Sequence, residues 1–342
     1  MKRASSGAGR SASIPRKTWP KKSGPSSSAA LSTRRRTSET APVGAAVRRP
    51  AWAKVNLALH VLGRRGDGYH ELDSLVVFAA VGDEITITPA PAGRLTLRLN
   101  GPFAAPLRRV ARTDNLVLRA ARLLRAHGRV AAGARIRLTK RLPVAAGLGG
   151  GSADAAATLQ ALRALWRLDM PDAALAALGA RLGADVPVCL AGRASVVRGV
   201  GERIVPASAL PPVWLVLVNP GVPLSTPRVF AAHSGAFSRP VDWPAGYRDA
   251  AALAAHLAVC SNDLEAAACD IVPEIGAVLD TLKHTQGCLL ARLSGSGATC
   301  FGLYADADAA AAASARIAAA RPRWWVCAAP VLGPDDGAED TS

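Results

Sequence analysis

The chain is short of acidic residues, of aromatics and of any long apolar run, and each shortage narrows what it can be. Its 42 Lys and Arg outnumber 25 Asp and Glu, for a formal charge of +17, which brings polyanions into view as partners. The imbalance is local. Residues 1–50 hold 12 basic residues and one acid, Glu39, so the remainder is only mildly basic. A body of that kind suits an anionic small molecule and does not call for nucleic acid. No apolar stretch is long enough to cross a bilayer, which argues against a membrane protein. The six cysteines (Cys189, Cys260, Cys269, Cys288, Cys300 and Cys327) form no CxxC pair and no zinc-like spacing with His. They read as reduced, buried thiols. With three Tyr, five Phe and seven Trp, the core is left to Leu, Val and Ala, and an aromatic inside a motif becomes conspicuous. What the chain does have is length: 342 residues, half of them apolar, are ample for one large core or two smaller ones.

Residues 1–50 are rich in Ser, Ala, Arg, Lys and Pro and show no hydrophobic period, so they are expected to be disordered. A transit peptide, an upstream stretch from a misplaced start and a nonspecific basic tail all fit that composition. Structure is expected from Ala51. Alternation marks strands at 51–62, 72–79, 84–88 and 94–99. Thr113-Asp114-Asn115 caps an amphipathic helix closed by Gly128, and 134–144 reads as a strand before a glycine-rich run. An Ala/Leu helix follows to about Leu168, then another from Pro171 to Gly183. In the second half, 213–220 is a buried strand and 249–259 a helix. Residues 261–287 read as two helices parted near Pro273. Next come a strand–turn–strand over 288–305, a helix over 306–321 and a last strand before a polar tail. Strands grouped with helices, without a steady βαβ rhythm, indicate an α+β fold in two domains. Pro211-Pro212 marks the boundary, giving 51–208 and 209–333, with 334–342 as the tail.

The strongest chemical signal runs from Pro143 to Asp154 (PVAAGLGGGSAD), between a strand and a helix. Gly147, Gly149, Gly150 and Gly151 permit backbone angles closed to other residues and let a ligand approach the main chain. Free amides at the helix start, helped by the helix dipole, make a phosphate cradle, and Ser152 adds a hydroxyl. No Lys-Ser/Thr follows the glycines, so this is not a Walker A loop. Nor is it a clear dinucleotide fingerprint, lacking the βαβ unit and the ribose acid.

Together with Ala53-Lys54-Val55-Asn56-Leu57, with Asp67-Gly68-Tyr69-His70, and with Leu293-Ser294-Gly295-Ser296-Gly297-Ala298-Thr299, this loop resembles the three motifs of the GHMP kinases. The DGYH element is similar to the diphosphocytidyl-methylerythritol kinase branch. Further similarities in the same order are Gly183-Ala-Asp185-Val-Pro187, Gly199-Val-Gly-Glu202, Asn219-Pro-Gly-Val222, Thr226-Pro227 and Asn262-Asp-Leu-Glu265, so the likeness covers about 51–332.

The resemblance implies an ATP-dependent kinase with a GHMP N-terminal ATP-binding domain and a C-terminal α/β sandwich domain. It implies transfer of the γ-phosphoryl of ATP, as its Mg²⁺ complex and without a dedicated protein metal site, to the 2-hydroxyl of a diphosphocytidyl-methylerythritol substrate in non-mevalonate isoprenoid synthesis. Asp185 corresponds to the general base and Lys54 to its partner. Pro143, Val144, Ala145, Ala146, Gly147, Leu148, Gly149, Gly150, Gly151, Ser152 and Ala153 correspond to the nucleotide loop. Asn56, Tyr69, His70, Thr226 and Phe230 correspond to the substrate site, with the cytosine between Tyr69 and Phe230 and His70 on its edge. Two departures stand out: Ala153 where relatives often carry a second serine, and Ala145 where they have glycine. Read from the residues alone, Asp185 is equally a turn or cap carboxylate before Pro187, Lys54 a surface charge and Phe230 a core aromatic. A kinase for mevalonate, homoserine or a sugar, and a basic nucleic-acid-binding protein, stay open as alternatives. The implied setting is bacterial cytoplasm, or a plastid if residues 1–50 are a transit peptide, with no membrane and no nucleic-acid partner.

Overall fold

A computed structural model describes residues 46–110, 113–334 and 336. Expectations for residues 1–45 and for most of the polar tail therefore lie outside the described residues. In chain order the first half contains β1 (Val47–Arg64), β2 (His70–Ala90), β3 (Leu95–Asn100), α1 (Ala104–Leu107), α2 (Leu116–His127), β4 (Gly133–Thr139), α3 (Gly150–Leu165), α4 (Asp172–Ala180), α5 (Val186–Ala191), β5 (Ser195–Gly199) and β6 (Arg203–Pro206). The second half contains β7 (Trp214–Asn219), α6 (Thr226–Ala232), α7 (Ala250–Ala258), α8 (Glu265–Ile271), α9 (Glu274–Lys283), β8 (Leu290–Leu293), β9 (Cys300–Tyr304), α10 (Ala307–Ala320) and β10 (Trp325–Pro330).

The first sheet runs β3-β4-β2-β5-β6, with β1 on the free edge of β2; β3 and β4 are parallel and the other pairs antiparallel. The second runs β10-β7-β9-β8, all antiparallel. Period-two alternation assigns the faces. In β2, Val76 and Phe78 pack under α2 and α3, while Leu75, Val77 and Ala79 pack with Leu215 and Leu217 of β7. The alternate β7 residues Val216 and Val218 face α8, α9 and α10. Both faces of β7 and of the β2 segment 75–79 are thus buried, which is why those stretches are continuous apolar runs. Small side chains let α3 lie close to the sheet: Ala153, Ala155, Ala156, Ala157 and Ala161 are all buried.

Several boundaries differ from the sequence reading. β1 starts at Val47, so the expected disordered segment is already a strand over its last four residues. The strands expected at 72–79 and 84–88 are one strand, β2, because β1 pairs across the gap through a register shift at Trp52/Ala53. α3 stops at Leu165, where Arg167 takes a positive φ of 50°. The expected cap does form, Asn115 accepting from the Val117 amide at 3.0 Å. Not anticipated were β5, β6, α1, α5 and α6, whose short segments carry too few turns or alternations to register.

Candidate active site

Lys54 and Asn56 alternate along β1 with Ala53, Val55 and Leu57, which are fully buried in the core between the sheets. The strand's period therefore sends both polar side chains to its other face. There they line a cavity of about 1070 Å³ shared with the glycine loop, the start of β2, the N-terminus of α6 and the turn before α5. The loop docks directly on the strand, since the Lys54 amide donates to Leu148 O at 2.9 Å. Gly149 takes a left-handed φ of 61° as the N-cap of α3 and provides no side-chain cap. The first amides of a 16-residue helix consequently open toward the cavity, the arrangement that accepts a phosphate. Loop residues 143–147 and 149–152 line the cavity, whereas Leu148 and Ala153 are core residues behind it. Ala145 sits at φ 54°, a left-handed angle that costs a non-glycine residue about 1 kcal/mol.

Asp185 immediately precedes α5, yet its carboxylate caps no amide of that helix. Instead it accepts from Lys54 Nζ at 3.0 Å, across 131 residues of sequence. Lys54 is 8% exposed at its side chain and Asp185 45%, so the ammonium lies in the wall and the carboxylate opens into the cavity. Asn56 Nδ2 donates to Ser74 Oγ at 2.7 Å, and Ser74 Oγ donates in turn to Ala58 O at 2.6 Å. That chain leaves Asn56 Oδ1 buried without a partner at the cavity wall, where a ligand hydroxyl can donate to it.

The far end of the cavity holds the aromatic residues. Tyr69, at the tip of the 65–69 turn, is 66% exposed. His70 stacks on Phe230 with centroids 5.0 Å apart and planes at 28°, so one face of Phe230 is already covered. Burial, then the charges of Arg64 and His233, hold the His70 pKa below its ordinary 6.5. His70 is therefore a neutral imidazole at neutral pH, with one ring nitrogen to accept and one to donate. Thr226 Oγ1 and Ser296 Oγ lie 2.7 Å apart at the mouth. The serine–glycine turn 294–297 braces the glycine loop: Ser294 Oγ donates to Gly147 O at 3.0 Å and Thr299 N to Ala146 O at 3.1 Å. Asn262 in turn holds this turn through Leu293 O and Gly295 O.

Sequence reasoning missed a buried charge cluster behind the loop. Lys140 Nζ donates to Asp83 Oδ2 at 2.5 Å and to Asp154 Oδ2 at 2.8 Å, and all three residues are at most 3% exposed. Asp83 is fully satisfied, its other oxygen accepting from the amides of Arg141 and Leu142. Asp154 is not, and its Oδ1 has no partner. Burial raises the Asp154 pKa to about 7, Lys140 opposing and Asp83 adding to the rise. The same two carboxylates raise the pKa of Lys140 against its burial, so it stays charged. Lys140 and Asp154 border the cavity, with Lys140 Nζ 3.0 Å from where a Cβ on Gly150 would stand. No local signal could have revealed this, because the three residues come from β2, from the position just after β4 and from α3. Among the described residues no three His, Cys, Asp or Glu side chains converge as a metal cluster.

Comparison with known proteins agrees with this geometry. Residues 115–193 match the GHMP kinases N terminal domain and residues 247–322 the GHMP kinases C terminal family. A 4-diphosphocytidyl-2-C-methyl-D-erythritol kinase of Paramagnetospirillum magneticum is 54% identical over 82% of this chain and 96% of its own length. The protein of that name from Rhodospirillum rubrum is 49% identical over 85% and 95%. A crystal structure of 4-(cytidine 5'-diphospho)-2C-methyl-D-erythritol kinase is 39% identical and superposes with a TM-score of 0.67, covering 84% of this chain and 99% of that one. A homoserine kinase from Cytophaga hutchinsonii has the same TM-score of 0.67 at 16% identity, over 85% of this chain and 96% of its own, and so shares the fold alone. With a two-domain α+β fold and relatives this similar along most of its length, the chain belongs to the 4-diphosphocytidyl-2-C-methyl-D-erythritol kinases of the GHMP kinase superfamily.

Proposed function

We propose that this cavity transfers the γ-phosphoryl group of ATP to the 2-hydroxyl of 4-diphosphocytidyl-2-C-methyl-D-erythritol, a step in isoprenoid precursor synthesis. The observation that carries the reading is Asp185, a carboxylate that ignores its own helix terminus and pairs with Lys54 at 3.0 Å inside the cavity. Asp185 accepts the proton of the attacking hydroxyl. The Lys54 ammonium, 3.0 Å from that carboxylate, favours the developing alkoxide. Asn56 Oδ1 orients the acceptor end of the substrate. The amides at the start of α3, with Ser152 and the dipole of that helix, hold the phosphates of the nucleotide. Mg²⁺, carried by ATP, neutralises phosphate charge when bound. Most of the rate comes from alignment of hydroxyl and phosphoryl, since phosphoryl transfer asks little covalent chemistry of the protein. Tyr69, His70, Thr226 and Phe230 take the cytidine end. The two domains are assigned to 51–208 and 209–333. The named relatives are bacterial, which supports the cytoplasm of a bacterium over a plastid as its setting.

The test is a coupled ADP-release assay with ATP, Mg²⁺ and the cytidine substrate, with mevalonate and homoserine in parallel. Turnover with the cytidine substrate alone is expected, and turnover with only a parallel substrate would overturn the cytidine assignment. Asp185→Asn should lower kcat by about 10²–10⁴-fold, the usual worth of a positioned base, with nucleotide affinity unchanged. Near-normal turnover in that variant refutes the assignment of the base.

A further inference from the structure

We propose that Asp154 is a positioning residue of the nucleotide site, whose carboxyl takes up one proton when phosphates settle on the N-terminus of α3. The inference deepens the function proposed above and rests on its phosphate site. It starts from a count of charge. Asp83 and Asp154 share the single ammonium of Lys140, at 2.5 and 2.8 Å, and none of the three is more than 3% exposed. With both carboxylates ionised, the cluster carries one net negative charge behind a loop that receives an anion. Lys140 Nζ comes within 3.0 Å of where a Cβ on Gly150 would stand. Asp154 lies four residues along α3 from that glycine, about 6 Å of helix rise. The same contacts tie both ends of the glycine loop together. Asp83 takes the amides of Arg141 and Leu142, which lead into Pro143, and Lys140 reaches Asp154 beyond Ser152.

The other groups around Asp154 leave it as the one to respond. Asp83, from β2, has both oxygens engaged, one by Lys140 and one by two amides. From α5 comes Cys189, whose thiol burial keeps protonated. From α2 and α4 come only the apolar side chains of Val117, Leu124, Leu175 and Leu178. Lys54 of β1 lies against Gly149 and is matched by Asp185. Asp154 Oδ1, by contrast, is buried without a partner in a residue that borders the cavity. An unmatched carboxylate oxygen in a buried site is where a proton is most easily added. In the free protein this carboxyl already titrates at about 7, chiefly because of its burial. A phosphate chain within about 6–10 Å raises it by about one further pH unit or more. The proton comes from solvent, adds to Oδ1 and breaks no other bond. The cluster is then neutral, with Lys140 and Asp83 still an ion pair. Oδ1 has become a donor, the polarity that suits an anion.

The experiment titrates the whole chain with MgATP, without an acceptor substrate, by calorimetry at pH 8 in HEPES and in Tris, whose ionisation enthalpies differ. Wild type is expected to take up about 0.4–0.7 proton per nucleotide, the occupancy gained when a titration near pH 7 moves one pH unit or more upward. Asp154→Asn removes the titrating group and should take up none. Binding that takes up a proton weakens as protons become scarce. Wild-type affinity for MgATP should therefore fall about five- to tenfold from pH 7 to pH 9, and that of the variant should stay level. A merely structural Asp154 would move neither readout. MgATP binding with the same proton count in both proteins, and with a wild-type affinity independent of pH, overturns this inference alone. Should the variant not fold, the wild-type series decides by itself, and a level affinity overturns the inference. A folded wild type that binds no MgATP overturns the functional proposal and this inference with it.

Discussion

Replacing Asp154 by Asn should make the protein relatively more stable at alkaline pH than at acid pH, a consequence of the buried charge cluster. Asp154 and Asp83 share one ammonium, Lys140, and none of the three residues is more than 3% exposed. The pair to Lys140 does not recover the cost of burying a second carboxylate, so the Asp154 pKa rises from 3.8 to about 7. Such a carboxyl keeps its proton in the folded chain after the unfolded chain has released it. Its contribution to stability is complete below about pH 4 and is lost progressively up to about pH 7. The full span corresponds to roughly 4 kcal/mol, of which roughly 3 kcal/mol falls between about pH 5 and pH 8. Asparagine carries no such dependence and leaves the Lys140–Asp83 pair balanced. Over that interval the variant should gain on the wild type by on the order of 5–10 °C in melting temperature. Differential scanning calorimetry of both proteins across the pH series reads this difference directly, with the titrations common to both cancelling. Curves that stay parallel would refute the reasoning and make Asp154 an ordinary ionised partner of Lys140.

The remaining predictions concern the loop and the base-reading end. Gly147→Ala places a Cβ against Ser294 O and 2.8 Å from Gly297 N at a φ of 74°, so it should cost about 1–3 kcal/mol of stability and raise KM for ATP. Thermal melts and ATP titration check this. Ala145→Gly relieves the φ of 54°, and should stabilise the protein by less than about 1 kcal/mol, the gain being offset by glycine's greater freedom when unfolded; denaturant titration measures it. His70 is held below its ordinary 6.5 by burial, Arg64 and His233, so KM for the cytidine substrate should be flat through neutral pH and rise only in acid. Removing one of those causes with Arg64→Gln should move the acid limb toward neutrality in the pH–KM profile.

Local patterns announced what depends on local physics. Four glycines in a five-residue span before an Ala/Leu helix signalled a phosphate-accepting turn, and the structure presents those helix amides to the cavity. Alternation located the buried strands, and Asn115 announced its helix as a cap. Short elements escaped, since four to seven residues, as in β6 and α6, hold too few repeats to show a period. The pairing of Asp185 with Lys54 could not be read locally either. Its position before Pro187 suits a cap equally well, and only the fold shows that carboxylate turned away from its helix toward Lys54.

By itself, then, the sequence determined the α+β composition, the longer elements in their order, the glycine-rich turn before α3 and, through its motifs, the family. Periodicity and turn chemistry act over a few residues, and such signals survive in one dimension. Tertiary structure alone decided the cluster of Asp83, Lys140 and Asp154 and the covering of one Phe230 face by His70. Each joins side chains from separate elements. Their desolvation and pairing energies exist only once the sheets and α3 have packed.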